Sequence, residues 1–168
     1  MDPRDEHMAK RMIKTVAVAI ALASALGCAG RLSAQDIPRT AVRPDPANIP
    51  VLLPQDLKWQ DRGGGQWQAP LFGDPDKPGP YGILIKWLPH AMSRPHFHST
   101  DRYAYVLSGT WWVSDSPHFD PATTWPIRPG TFAVDIADKV HWDGAKDEET
   151  VVMVVGQGPM TTHPVVGK

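Results

Sequence analysis

The stretch RPHFHSTDRYAYVLSGTWW, from Arg94 to Trp112, places His96 and His98 two positions apart. Neutral imidazole is the commonest protein ligand for divalent transition metals. In an extended chain, side chains at i and i+2 leave the same face, roughly 6–7 Å apart along the backbone. The pair can therefore converge on one ion from a single strand, with Phe97 turned away. Histidines at this spacing also occur in strands without metal, so a ligand pair and a chance pair both stay open at this level. Four positions after His98, where a carboxylate would complete a site, stands Arg102. A guanidinium carries a fixed positive charge and no lone pair for a cation.

Other candidate chemistry is thin. His90, His118 and His163 lie in loop-like or terminal contexts near proline and read as solvated. DRGGGQ, residues 61–66, lacks the Lys-Ser/Thr and helix of a phosphate loop and reads as a turn between strands. No Ser-His-Asp arrangement is identifiable.

The elements that must hold the histidines are β-strands. YGILIKWL (81–88), RYAYVLSG (102–109), TWWVS (110–114), TFAVDI (131–136) and TVVMVVG (150–156) are short β-type runs separated by turn residues. If one strand continues in register past His98, Arg102, Ala104 and Val106 share the histidine face, and Tyr103, Tyr105 and Leu107 cover the other. Gly109 then allows the reversal into TWWV. No window beyond residue 34 holds a helical period, and 18 prolines oppose long helices. The expectation is an all-β sandwich or small barrel. Five of the seven tryptophans, Trp87, Trp111, Trp112, Trp125 and Trp142, fall in or beside these strands. They are expected to fill the barrel and the face of a homodimer, or to form an aromatic wall for a ligand.

Residues 1–34 read differently. Lys10, Arg11 and Lys14 precede the uncharged run TVAVAIALASALGCAG, the layout of a cleaved signal peptide. Cleavage after Ala34 is expected, with lipid anchoring through Cys28 the lesser alternative. The run is short and alanine-rich for a span of about 20 apolar residues. A periplasmic or secreted protein with no stable membrane span follows. Residues 35–50 read as a proline-punctuated arm and residues 51–168 as the domain. Cys28, the only cysteine, lies in the signal, so the domain holds neither a disulfide nor a cysteine nucleophile. Loss of residues 1–34 moves the formal charge from −1 to −3, and no basic cluster exists to attract nucleic acid.

The spacing resembles the cupin superfamily. His96-x-His98, three residues, Arg102, six residues and Gly109 match its first motif, with Arg102 in place of a glutamate. In GTFAVDIADKVHWDGA, Gly130 and His141 stand at the separation of the second motif. There Ile136 replaces the proline, Asp138 the glycine and Ala145 the asparagine. The likeness covers roughly residues 80–157. It implies a double-stranded β-helix, or jelly-roll barrel, with His96, His98 and His141 facing the lumen. A divalent transition metal (Fe, Mn, Zn or Ni) is the implied cofactor, held by three neutral imidazoles. Trp142 then faces away from the triad.

Arg102 is the departure that matters. It holds an anionic substrate group beside the metal, or it pairs with Asp101 or Asp143, or the metal has been lost. Asp143, two residues after His141, and Asp101 are the carboxylates that could replace the glutamate. The implied function is metal-dependent oxygenation or isomerisation of a small organic acid, with Arg102 as the catalytic positioning group. The competing reading is a small-molecule-binding or sensing barrel whose metal is structural or absent. A third, purely structural module requires a lumen filled with tryptophan.

Overall fold

The computed structural model describes residues 42–165; the expected signal segment and residues 35–41 of the arm lie outside them. A compact unit begins at Pro50. It contains β1 (Gln60–Gly63), β2 (Gln66–Phe72), β3 (Gly79–Trp87), β4 (His96–His98), β5 (Arg102–Ser108) and β6 (Trp111–Ser114). Then follow β7 (Trp125–Ile127), β8 (Phe132–Asp135), β9 (Trp142–Gly144), β10 (Thr150–Gly158) and β11 (Thr162–Pro164). The only helical turns among the described residues are short 3-10 turns at Pro54–Asp56 and Pro121–Thr123. The all-β expectation holds.

Six strands form one antiparallel sheet in the order β1-β2-β3-β10-β5-β8. β7-β6-β9 and β11-β4 form two smaller sheets, which isolated bridges Met92↔Gly144 and His96↔His141 join edge to edge. Two central strands of the six-stranded sheet alternate in burial. In β5, Arg102, Ala104 and Val106 are buried, while Tyr103, Tyr105 and Leu107 are exposed. In β10, Thr150, Val152, Val154, Gly156 and Gly158 turn inward. A one-residue slip would send the β5 set into water, so that strand admits one pairing. Ile83, Ile85 and Trp87 of β3 close the core with Val106, Val152, Val154 and, from the smaller sheet, Trp111. Gly109 makes the β5–β6 reversal at φ 69°, where an added Cβ would fall on the Glu149 carbonyl.

The structure corrects several expectations. The histidine strand does not run on to Arg102: β4 stops at His98 and pairs with β11, whereas β5 belongs to the large sheet. The break has visible causes. Ser99 N donates to Thr161 O, Asp138 N to His98 O, and Thr100 Oγ1 to Gln157 O, each drawing the chain off the strand path. His163 is not in a loop; it lies in β11 opposite Phe97, with the rings stacked at 5.0 Å. Trp87, Trp111 and Trp142 are buried as expected, and Trp125 in β7 is 73% exposed. Asp138 sits at φ 59°, the left-handed region that aspartate tolerates better than most residues. Replacement of the motif glycine by aspartate therefore preserves the turn.

One row across the large sheet bears on the site. Tyr81 (β3) pairs with Gly156 (β10), Gly156 with Arg102 (β5), and Arg102 with Asp135 (β8). The Tyr81 ring fits because residue 156 has no side chain: a Cβ there would lie 2.6 Å from its hydroxyl. Since Tyr81 is fully buried, its ring has nowhere to retreat. Gly156→Ala is expected to lower unfolding free energy by about 1–3 kcal/mol through overpacking, measured by urea denaturation. Unchanged stability would show that the row has slack.

Candidate metal centre

β4 presents His96 and His98, and the residue before β9 presents His141. Their meeting is a backbone event before it is a side-chain one. His96 N donates to His141 O at 2.9 Å and His141 N to His96 O at 2.8 Å, the closed pair of an antiparallel ladder. The three rings lie 4.5–5.0 Å apart by centroid. One ligand nitrogen from each falls within 4.8 Å of the others.

Each ring is oriented from behind. His96 Nδ1 donates to Arg94 O at 2.7 Å and His141 Nδ1 to Lys139 O at 3.1 Å. A carbonyl only accepts, so in both rings the proton sits on Nδ1 and the lone pair on Nε2. His98 Nδ1 lies 2.9 Å from Thr162 Oγ1, whose own proton points to Met160 Sδ. That leaves the hydroxyl oxygen to accept. In consequence the Nε2 atoms of His98 and His141 are buried without a partner. Unpaired buried acceptors are costly, and two of them beside a third imidazole nitrogen within 4.8 Å have the chemistry of a cation site. Burial, with the Arg102 charge second, pushes the His98 pKa down to about 2. Burial also lowers that of His96, against its bond to the Arg94 carbonyl. Neutral imidazole is the form that ligates a metal, so the residues present fit a divalent transition ion.

The carboxylates are arranged differently from any expected pairing. Asp101 Oδ1 accepts from Ala137 N at 2.7 Å and clasps a turn. Asp143 is buried and lines the cavity, but Oδ2 accepts from Trp111 Nε1 at 2.7 Å and Oδ1 from Ser93 Oγ at 3.0 Å. Arg102 pairs with neither. Its Nη2 donates to Asp135 Oδ2 at 2.6 Å, with both side chains largely buried, and its Nε has no partner. The same Asp135 oxygen lies 3.7 Å from His141 Nε2. Asp135 and Thr162 are the functional residues that sequence reasoning missed. An inward aspartate opposite an inward arginine is a signal only once the β5–β8 register is known. Tyr81 lies by the same pair, and burial raises its phenol pKa against the pull of Arg102.

His96, His98 and Arg102 line a cavity of about 700 Å³. Ile83, Ile85, Trp87, Met92 and Met160 give it an apolar wall, and Arg62, Arg94, Asp76 and Asp143 also border it. Arg94 is exposed and stacks on Phe119 at 3.9 Å. Trp142, as expected, turns from the triad, packing on Phe119 and donating to Ser116 O. The lumen is therefore open, which removes the purely structural reading.

No family model and no curated protein matches the chain. Solved structures do. The polyketide cyclase RemF from Streptomyces resistomycificus is similar at 20% identity and a TM-score of 0.59, over 70% of this chain and 86% of that one. A cupin-2 domain from Rhodospirillum rubrum is similar at 12% identity and 0.54, over 69% and 79% of the two chains. An RmlC-like cupin from Ralstonia eutropha is similar at 15% and 0.53, over 70% and 76%. Identities this low speak to architecture and not to chemistry. With its antiparallel sheets closed around a histidine-lined lumen, this chain has the fold of the cupin structures it resembles.

Proposed function

We propose that this protein is an exported, metal-dependent enzyme acting on a small organic acid at the three-histidine centre. The observation that carries the reading is the common aim of three imidazoles, each with Nδ1 engaged and Nε2 turned to one point beside an open cavity. A divalent transition ion held there supplies Lewis acidity toward a carbonyl or enolate oxygen, or a site for dioxygen in an oxidation. The remaining work falls to the chain itself. The apolar wall excludes water from the body of the substrate. Arg62 and Arg94 meet its acidic group at the border of the cavity, and Arg102 adds positive charge at depth. The carbonyls of Arg94 and Lys139 hold two ring tautomers. A barrel that only binds ligand, without metal, needs the cavity but not this orientation. A polyketide cyclase of the same fold supports an enzymatic use of the barrel. Export rests on residues 1–34 alone.

Reconstitution with a divalent transition metal followed by elemental analysis is expected to give one ion per chain. His98→Ala is expected to lose the ion, with affinity down by at least about 10–100-fold. A wild type that takes up no stoichiometric metal sinks the reading. Thermal-shift screening of the loaded protein should show stabilisation by small carboxylic acids and not by their neutral amides. Equal shifts from both would remove the acid from the substrate class.

The depressed histidine pKa values set a pH signature. In the unfolded chain these imidazoles take up protons near pH 6.5. In the folded chain His98 does so only near 2, and His96 below its ordinary value. Below about pH 6.5 the unfolded state thus binds more protons, and stability falls as pH falls. Urea unfolding of metal-free protein between pH 8 and 5, roughly spanning that titration, is expected to show the loss below 6.5 and its reduction in His98→Ala.

A further inference from the structure

We propose that Asp135 supplies the carboxylate of this metal centre, positioned there by Arg102. The inference rests on the metal reading above. Three neutral imidazoles bring no negative charge, and the buried Arg102 guanidinium, whose charge is felt at His98, repels a dication. A site so built needs an anion, and the candidates differ in what already occupies them. Both oxygens of Asp143 are held by Ser93 and Trp111, and Asp101 clasps the Ala137 amide. Asp135 gives one oxygen to Arg102 Nη2, and that oxygen lies 3.7 Å from the partnerless His141 Nε2.

Two donors bound at about 2.0–2.2 Å to one ion lie no more than about 4.4 Å apart, so the separation is within the reach of a shared cation. A carboxylate oxygen has lone pairs for both a guanidinium and a metal. Arg102 is suited to the positioning role because it is itself immobile: buried, and paired on both sides within the large sheet, to Gly156 and to Asp135. In this chain the acid of the site has moved to the cross-strand neighbour of the residue that replaced it.

Apo-protein of the full domain, titrated with Co(II) and followed by visible absorption and calorimetry, tests the assignment. Asp135→Asn is expected to weaken cobalt binding at least about ten-fold and to alter the ligand-field bands. Arg102→Leu is expected to weaken binding less than Asp135→Asn, since the carboxylate stays and a repelling charge is gone but the donor that aims it is lost. The double variant, which leaves no unpaired buried charge, keeps the comparison valid if Asp135→Asn fails to fold, and is expected to be as weak as that variant. Wild-type affinity and spectrum in the double variant overturn the proposal, as does an Arg102→Leu protein as weak as Asp135→Asn, which marks a merely structural pair. Absence of cobalt binding by the wild type overturns the metal reading itself, and this assignment with it.

Discussion

The site depends on two backbone hydrogen bonds, exchanged between His96 and His141. They join segments more than forty residues apart in sequence and place three imidazoles around one point before any side chain is considered. The same bridge, with Met92↔Gly144, welds the two small sheets into the wall that faces the six-stranded sheet. The centre and the architecture thus share one hinge of hydrogen bonds. Loss of that pairing would scatter the ligands and open the lumen together.

Around this bridge the polar atoms are divided with economy. Main-chain carbonyls and one threonine take the outward ring nitrogens, and the inward nitrogens of His98 and His141 are left with lone pairs and no donor. The buried Asp143 is spent on holding Trp111 and Ser93, so it stiffens the wall. Arg102 and Asp135 bring opposite charges into the interior as a close pair, the form in which charge survives burial. Tyr81 is admitted to the same row only because position 156 is glycine.

Much of the fold was legible in the chain. Alternation in RYAYVLSG named the inward face of β5, TVVMVVG was legible only as a strand, and Gly109 named the turn between β5 and β6. The His-x-His pair and its distant partner were legible through spacing and likeness to a family. The continuity of the histidine strand into Arg102 was misread, because the bonds that end β4 come from Thr161 and Asp138, both remote in sequence.

What local periodicity and residue chemistry determine by themselves is β-strands, one of them with a clearly buried face, a His-x-His pair, and a cation close after it; the third histidine is implied by the likeness to the cupin motifs. What only the tertiary structure decided is who partners that cation. Asp101, Asp143 and Asp135 have the same side chain and differ only in which donor reaches them. That depends on the β5–β8 register and on the bridge to β9, both long-range pairings. Hydrogen bonds and ion pairs act over a few ångströms, so partners are assigned only after the fold has set those distances.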